Sequence, residues 1–499
     1  MELPEILAGM EVTSVTGPAK PEVRSITYDS RKVEPGALFF AFHGQKLEGL
    51  DFVADAIGRG TIAIASEKSR QAGLPKEITW VELVSNSERR GLSLASANFY
   101  RHPADALKLT GVTGTNGKTT ISFIVDSILR ASGLTTGLIG TTGYRTPQGS
   151  RKAVNTTPES LDLQQMFAEV RNAGGTHAVL EVSSHALAMD RVWGCHFAVA
   201  IFTNLTRDHL NFHKTFEDYF AAKRRLFEGT GAGAPDVAVI NADDPWATRL
   251  EGLAKQSLTY GLMYSADLTA KEFALSFDGL EFTAETPAGK VEVRSSLVGR
   301  INVYNILAAI GAGIGLDIPI PKIEAGIASL ALVPGRFQRI DEGQPFLVVV
   351  DYAHADDAMR NLISTARELN PAGRIITVFG AGGERDRSTR PLMGEASGSL
   401  SDLVILTSDN PRSEDPLRII NDVVVGLQKV NADYRIEPDR EAALMMAIEE
   451  ARPGDIVLLA GKGHENYQIL RDRTFEFDDR EKARAILRRK GYSKKTAGQ

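Results

Sequence analysis

A glycine-rich segment, residues 111–120, is the strongest chemical signal in the sequence. It follows a strand-like stretch at 106–110 and precedes apolar residues at helical spacing, which is the context that a phosphate-binding loop needs. Glycines let backbone N–H groups approach a polyphosphate, Lys118 can reach the β and γ phosphates, and the Thr119 hydroxyl can bind magnesium. The alternative is a glycine-rich turn that enters a helix beside an exposed lysine. The segment predicts a nucleotide site on Gly114, Thr115, Asn116, Gly117, Lys118, Thr119 and Thr120.

Polar motifs begin where several other predicted strands end. They include Glu181, Asp351, Asp409 and Gly461. Ligands bind at the carboxyl ends of the strands in open parallel sheets. We therefore expect chemistry at that edge in both the second and the third domain.

Three residues of the second domain are candidates for the chemistry around this loop. Glu181 is the natural acidic partner for a magnesium ion held by Thr119, because a hard cation prefers oxygen ligands; alone, it could equally be a solvated acid at a strand end. His209 and Lys223 receive no role from their spacing, since a single histidine is usually structural and Lys223 resembles any helix lysine.

The third domain is rich in cationic and carboxylate residues in and around turns that contain glycine or proline. Arg385, Arg412 and Glu465 could together bind a zwitterion, because arginine binds a carboxylate through two hydrogen bonds and glutamate binds an ammonium. Turn residues that form ion pairs at the surface would produce the same pattern. The residues alone leave both interpretations open.

The alternation of β-branched runs with helix-length stretches predicts an α/β protein with mainly parallel sheets. Residues 268–298 alternate differently and predict antiparallel strands. Proline-containing joints at 100–103 and 332–335 divide the chain into predicted domains 1–104, 105–335 and 336–499. The clearest predicted strands are 178–182, 198–203, 237–241, 346–351, 374–379, 402–407 and 455–459.

Composition excludes several classes of protein. The chain has 499 residues, 57 Lys+Arg against 63 Asp+Glu and a net charge of −6, which argues against a nucleic-acid-binding protein. No apolar run is long enough for a membrane span. The single cysteine, Cys195, cannot form an internal disulfide, which fits a reducing compartment. We expect a cytoplasmic protein.

The motifs, in their order along the chain, resemble those of the Mur ligases, the ATP-dependent amide-bond synthetases of cell-wall precursor assembly. Within that family they are most similar to the type that adds meso-diaminopimelate. The sequence departs from the family pattern at Met189, where glutamine is common in the family, and at Ala355-Asp356, where Thr-Pro is common. Besides the glycine-rich loop, the resemblance rests on residues 29–31, 35–39, 155–158, 181–185, 208–209, 299–302 with Asn305, 335–337, 351–354, 409–412 and 461–465.

This resemblance implies an N-terminal α/β UDP-binding domain, a central P-loop ATPase domain with a mainly parallel sheet, and a C-terminal Rossmann-like domain for the amino acid. The implied reaction passes through an acyl phosphate and joins diaminopimelate to UDP-N-acetylmuramoyl-dipeptide, with a monomer as the expected state. The implied residues are Ser30, His43, Gly44 and Gln45 for the uridine nucleotide; Asn155, Thr156, Thr157, Ser183 and Arg191 for the muramoyl-dipeptide; Asn302, Arg336 and Asp351 for ATP; and Arg385, Asp409, Asn410, Pro411, Arg412, Gly461 and Glu465 for the amino acid.

The family carries a carbamylated lysine near its second magnesium ion, and Lys223 matches its position. His209 matches a magnesium ligand, so the resemblance implies a metal set of Thr119, Glu181, His209 and carbamylated Lys223. Lys118, Lys223, His209 and Arg191 are the implied catalytic residues. A ligase that extends folate with glutamate, a P-loop motor and an ATP sensor are the competing interpretations.

Overall fold

The structure is a computed structural model that describes residues 1–43, 48–471 and 473–493. Each of three successive parts of the chain is built around its own β-sheet. Within the described ranges, no helix is long and apolar enough to cross a lipid bilayer.

The first part is a five-stranded sheet in the order β1-β5-β4-β3-β2, in which only the β1–β5 pair is antiparallel. Of the three inner strands, β3 and β4 are buried at every residue, which accounts for their largely apolar sequences. The elements are α1 (Leu3–Ile6), β1 (Val12–Thr16), β2 (Ser25–Thr27), β3 (Ala37–Phe40), α2 (Val53–Gly58), β4 (Ala63–Ser66), β5 (Thr79–Leu83) and α3 (Glu88–Phe99).

The second part contains an eight-stranded sheet in the order β13-β12-β11-β6-β10-β7-β8-β9, parallel from β13 to β7. Its elements are β6 (Lys108–Thr113), α4 (Lys118–Ala131), β7 (Thr136–Gly140), β8 (Gly143–Thr146), β9 (Gly149–Arg151), α5 (Ser160–Asn172), β10 (His177–Glu181), α6 (Ser184–Ala188), β11 (Phe197–Phe202), α7 (Leu210–His213), α8 (Phe216–Glu228), β12 (Val237–Asn241) and β13 (Gln256–Tyr260).

A separate antiparallel sheet then follows in the chain and confirms the prediction for residues 268–298. It consists of β14 (Thr269–Ser276), β15 (Gly279–Thr286) and β16 (Gly289–Ser295), and is followed by α9 (Arg300–Gly315) and α10 (Ile320–Ser329).

The third part is a six-stranded sheet in the order β17-β18-β22-β19-β20-β21, parallel except for β17. The elements are β17 (Gln338–Ile340), β18 (Leu347–Asp351), α11 (Asp356–Leu369), β19 (Ile375–Phe379), α12 (Thr389–Leu400), β20 (Leu403–Leu406), α13 (Pro416–Lys429), β21 (Tyr434–Ile436), α14 (Arg440–Glu450), β22 (Ile456–Ala460), the hairpin β23 (Tyr467–Leu470) and β24 (Arg473–Glu476), and α15 (Asp479–Arg489).

The α/β class with mainly parallel sheets is confirmed, and each of the seven predicted strands is found within a few residues of its expected bounds. The strand before the glycine-rich loop differs from the prediction, because it extends to Thr113 and includes Gly111. A glycine is required in this central strand, since a Cβ on Gly111 would lie 2.8 Å from the Phe197 ring. The domain boundaries after residues 104 and 335 stay a prediction.

Candidate active site

The glycine-rich loop connects the central strand β6 to α4, as the sequence predicts. Gly114 has φ +141°, and a Cβ there would lie 1.8 Å from the Thr203 hydroxyl oxygen. Gly117 has φ +89° and immediately precedes the helix. Within the described chain no side chain caps the N-terminus of α4. The loop therefore passes too close to Thr203 for a side chain at position 114. It presents backbone N–H groups at a helix N-terminus, where an anion is favoured.

Two lysines converge on one backbone oxygen of this loop. The Lys118 ammonium donates to the carbonyls of Gly114 (2.8 Å) and Thr115 (2.8 Å). The Lys223 ammonium, on the buried face of α8, donates to the same Gly114 carbonyl at 2.7 Å. Burial lowers the pKa of Lys118, and burial together with the Lys118 charge holds the pKa of Lys223 well below its usual value. The site thus concentrates positive charge without a salt bridge to either lysine in the described chain.

A set of hard oxygen atoms lies beside the lysines. The Thr119 hydroxyl donates to Glu181 Oε2 at 2.9 Å, and the Thr141 N–H and hydroxyl donate to the same carboxylate at 2.8 and 3.0 Å. Glu181, the last residue of β10, is almost completely buried. The structure thus brings Glu181 and Thr119 together as predicted. Oxygen ligands of this kind suit magnesium.

His209 directly precedes α7, close enough to Lys223 and Lys118 for their charges to lower its pKa. Its Nε2 is 3.4 Å from Asp208 Oδ2, and its ring packs edge-on against His185 at 4.7 Å. Desolvation lowers the pKa of His209, so the ring is neutral near pH 7 and can present a lone pair to a cation. Among the described residues, no group of three or more His, Cys, Asp or Glu side chains is arranged to hold a metal ion. A metal ion bound by Glu181 and His209 would therefore need further ligands that are not His, Cys, Asp or Glu side chains.

A pocket adjoins the loop, and Asn116, Gly117, Thr119 and Thr120 form one of its walls. Asn302, Arg336 and Asp351 line it, as the resemblance implies. The Arg336 guanidinium donates to the Thr119 hydroxyl at 3.1 Å and lies over the Tyr352 ring, while its Nε is buried without a hydrogen-bond partner in the described chain. Asp351 accepts hydrogen bonds from the N–H groups of Phe337 and Ala353, and burial raises its pKa.

The third part of the chain closes over the loop. Asn116 Nδ2 donates to Asp357 Oδ2 at 2.8 Å, and His464 Nε2 lies 3.2 Å from the Thr141 carbonyl oxygen. Together with the Arg336–Thr119 bond, these contacts make the carboxyl ends of the two parallel sheets face each other across one cleft. Sequence reasoning missed Asp357, whose only signal was its position at the start of a helix after a polar motif.

A second cluster occupies the carboxyl ends of β20 and β22. Asn410 Nδ2 donates to Glu465 Oε2 at 2.9 Å, and a Cβ on Gly461 would lie 2.8 Å from Asp409 Oδ2. Arg412 has φ +55° and donates to the carbonyl of Gly383 at 2.6 Å. The structure therefore joins the predicted residues 409–412 with the predicted residues 461 and 465.

Arg385 belongs to the same cluster. A Cβ built on Gly382 would meet Arg385 Cδ and Arg412 Nη1, each at 3.3 Å, so the two arginines flank this glycine. Arg385 is exposed, and Arg412 donates to backbone carbonyls. The Arg385 charge also acts on the Glu465 carboxyl and lowers its pKa against the larger, opposite effect of burial.

Lys462 holds this cluster together and was missed by sequence reasoning. Its side chain is completely buried, and its ammonium donates to Asn410 Oδ1 at 3.1 Å and to the Tyr467 carbonyl at 2.7 Å. It also lies 3.5 Å from Glu465 Oε2. Its position between two glycines in a polar motif was the available signal. Burial alone would raise the pKa of Asp409, but the nearby cations Lys462, Arg440 and Arg385 lower it.

The residues assigned to the muramoyl-dipeptide cluster around Glu181. The Thr157 hydroxyl donates to the Glu181 carbonyl at 2.7 Å and accepts from the Ser183 N–H at 3.0 Å. Arg191 donates to the Thr157 carbonyl at 2.9 Å. The hydroxyl oxygens of Thr156 and Thr141 are 3.1 Å apart. Asn155 is exposed beside them and accepts from the Tyr144 hydroxyl at 2.6 Å.

Glu159 connects this cluster to the first part of the chain and was also missed. It lies 2.8 Å from Arg191 and 3.3 Å from Arg89. Arg89 and His43 line a pocket of the first part that Ala188 and Asp190 of the second part also line. Of the other residues predicted for the uridine end, Ser30 is buried in the first part but does not line this pocket, whereas Gly44 and Gln45 lie outside the described residues.

Three family models match the chain in sequence order: the Mur ligase family catalytic domain at residues 22–93, the Mur ligase middle domain at 112–313 and the Mur ligase glutamate ligase domain at 335–463. The chain is 52% identical over 495 residues to UDP-N-acetylmuramoyl-L-alanyl-D-glutamate–2,6-diaminopimelate ligase of Solibacter usitatus, with 99% of each chain covered. It is 42% identical to the protein of the same name from Geobacillus thermodenitrificans, over 98% of this chain and 99% of that one.

Solved structures are similar over most of the chain. A structure of a UDP-N-acetylmuramoyl-L-alanyl-D-glutamate–2,6-diaminopimelate ligase matches with a TM-score of 0.66 and 33% identity, covering 99% of this chain and 100% of that one. MurF ligase from Thermotoga maritima in complex with ADP matches with a TM-score of 0.63 and 21% identity, covering 88% and 94%. The second match concerns the fold alone.

The contacts of Asn410 make a prediction about stability. Asn410→Asp replaces the amide that donates to Glu465 with a second carboxylate, which repels the first. Burial already raises the pKa of Glu465, and the new charge raises it further, so the folded state binds more protons than the unfolded state above the unfolded pKa of about 4.3. Stability relative to the parent therefore falls as pH rises. We expect a loss of about 1–3 kcal/mol at pH 8 and a smaller loss at pH 5, measured by urea denaturation.

Asn421→Asp, at an exposed position on α13 in the same domain, is the matched control and should change stability little at either pH. Equal losses for Asn410→Asp at pH 5 and pH 8 would contradict the repulsion.

Proposed function

The chain belongs to the Mur ligase family, and on that premise we propose that it joins meso-diaminopimelate to UDP-N-acetylmuramoyl-L-alanyl-D-glutamate in peptidoglycan precursor synthesis, with conversion of ATP to ADP. Full-length relatives that carry this activity in their names support the choice of substrate over folate. We further propose that the protein acts as a monomer in the cytoplasm.

The observation that carries this proposal is the pair of ammonium groups on the Gly114 carbonyl. Two cations that share one neutral acceptor at a helix N-terminus are poorly compensated, and a polyphosphate would supply the missing negative charge. Lys118 can turn from the carbonyls of its own loop toward the phosphates, and residues 114–120 supply backbone donors. The pocket beside Asn302, Arg336 and Asp351 would receive the nucleoside.

The hard oxygen atoms of Thr119 and Glu181 fit magnesium, and His209 and a carbamylated Lys223 would complete its protein ligands. Bound magnesium would neutralise charge on the transferring phosphoryl group. An unmodified Lys223 ammonium would repel the cation, whereas a carbamate would bind it through oxygen. Carbamylation requires the neutral amine, and the lowered pKa of Lys223 increases the fraction of the side chain in that form.

In the proposed reaction, a γ-carboxylate oxygen of the D-glutamate residue bonds to the ATP γ-phosphorus, and ADP leaves. An amine of diaminopimelate then attacks the acyl carbon of this acyl phosphate, loses a proton and expels inorganic phosphate. Lys118 neutralises charge on the phosphoryl group, while Arg191, anchored by Glu159, holds the carboxylate end. The closed cleft orients the three substrates and excludes water.

In the second cluster, we propose that Glu465 binds an ammonium of diaminopimelate, while Arg385 and Arg412 bind its carboxylates. Diaminopimelate carries a second amino-acid end, whereas lysine has only an ammonium there. Arg412 on the stiff Asn410-Pro411 turn would therefore favour diaminopimelate and repel lysine.

Lys118→Ala tests the nucleotide site. We expect ligation to fall by about 100-fold or more, because the removed charge faces the phosphates. Binding of the UDP substrate should stay within about twofold of the parent, since no part of that site is changed. Lys108→Ala, at the exposed opposite end of β6, is the control and should keep full activity. Normal ADP release by Lys118→Ala would overturn the assignment.

Lys223 is predicted to be carbamylated. In the parent protein supplied with ¹³C-bicarbonate, NMR should detect a carbamate signal that Lys223→Ala lacks. Lys223→Ala should lose activity and regain part of it with added short carboxylic acids, which replace the oxygen ligand. Lys223→Arg keeps the positive charge but cannot form the carbamate, so it should be inactive. A fully active Lys223→Arg variant would contradict the prediction.

Arg412→Ala tests the choice of amino acid. Loss of a buried charge pair costs about 2–5 kcal/mol, so the preference for meso-diaminopimelate over L-lysine should fall by a factor of tens to thousands. The change should appear chiefly as a raised KM for diaminopimelate. Arg418→Ala, exposed on the adjacent helix α13, is the control and should keep the preference. Comparable kcat/KM for the two amino acids in the parent would refute the assignment.

A further inference from the structure

A completely buried ion pair lies beneath the second cluster. Arg440 is the first residue of α14 and Asp479 the first residue of α15, and both side chains are inaccessible to solvent. The two groups form a two-pronged contact, with Nε donating to Oδ1 at 2.8 Å and Nη2 donating to Oδ2 at 2.6 Å. The guanidinium is thereby fixed in position and in plane.

The same guanidinium bonds to the backbone at two strand ends. Nη2 donates to the Ala460 carbonyl at 2.9 Å, and Nη1 lies 3.4 Å from the Ser408 carbonyl oxygen. Ala460 is the last residue of β22 and directly precedes Gly461. Ser408 directly precedes Asp409 in the segment after β20. Strand β19 lies between β20 and β22 in the sheet, so no β-ladder connects these two ends directly.

Stability alone is a poor explanation for this pair. Removing two charges from water costs several kcal/mol, and buried ion pairs can often be replaced by apolar residues without loss of stability. The free-energy cost of burying this pair is explained if the planar guanidinium is needed to set the distance between the segments that follow β20 and β22. A lysine ammonium is a single point of charge and cannot bind both Asp479 oxygens and both carbonyls with the same geometry.

We propose that Arg440, oriented by Asp479, is a positioning residue that holds the 409–412 turn and the 461–465 loop in the register needed to bind the amino-acid substrate. Arg440 is too deeply buried to touch that substrate. This inference rests on the proposed function of the second cluster. Loss of the Arg440 contacts should therefore weaken binding of the amino-acid substrate alone, because the nucleotide pocket and the UDP pocket lie elsewhere in the fold.

The test is steady-state kinetics of the full-length protein with all three substrates, for Arg440→Lys and Asp479→Asn. We expect the KM for diaminopimelate to rise about tenfold or more in both variants, since small displacements of binding groups are costly. The KM values for ATP and for the UDP substrate should stay within about twofold, because those sites make no contact with the pair. Circular dichroism checks that each variant is folded.

Arg374→Lys is the matched control. Arg374 donates to Asp455 at 2.8 Å and to the Glu450 carbonyl at 3.0 Å, at the opposite edge of the same sheet. It has a similar set of partners but lies away from the substrate loops, so the KM for diaminopimelate should not change.

An unchanged KM for diaminopimelate in folded Arg440→Lys and Asp479→Asn would overturn the inference, as would an equal rise for all three substrates. If Arg440→Lys does not fold, Asp479→Asn decides, and loss of folding in both would assign the pair to stability alone. Failure of the parent protein to consume diaminopimelate would instead overturn the proposed function.

Discussion

The active cleft depends on two buried lysines, neither of which forms a direct salt bridge with an acidic side chain in the described part of the chain. Lys118 and Lys223 approach the Gly114 carbonyl from two helices, α4 and α8. Burial lowers the pKa of each lysine, and the Lys118 charge lowers the pKa of Lys223 further. The glycine backbone makes this possible, because a side chain on Gly114 would collide with Thr203. The proposed polyphosphate would compensate the lysine charges with negative charge from the substrate. The proposed carbamate would replace the Lys223 charge with a negative one through covalent modification.

The rest of the fold places polar and charged side chains of the third part near Lys118 and Lys223. The carboxyl ends of two parallel sheets face each other, and contacts such as Asn116 to Asp357 and Arg336 to Thr119 close the cleft between them. A phosphoryl donor bound at the glycine-rich loop, as we propose, would thereby face the second cluster on the other sheet. Buried cations under that cluster, Lys462 and Arg440, hold loops that the β-ladders do not connect directly.

The sequence predicted those parts of the site whose residues are close together along the chain. The strand, glycine loop and helix around Lys118 could be recognised because their residues are consecutive, and Glu181 because it ends a strand. Lys223 could not be assigned from spacing, because its partner Gly114 is 109 residues away. Asp357 and Glu159 were missed for the same reason, since each acts through a contact with a distant part of the chain. Family resemblance supplied Lys223 and His209, which periodicity and turn chemistry could not.

A crystal structure of the protein with ADP and Mg²⁺ would test the role of the charge most directly. We expect the β-phosphate to lie against the N–H groups of residues 114–119, with the Lys118 ammonium moved from the Gly114 carbonyl onto a phosphate oxygen. A nucleotide bound elsewhere, or a Lys118 ammonium still bonded to the Gly114 carbonyl with ADP present, would contradict this interpretation of the cleft.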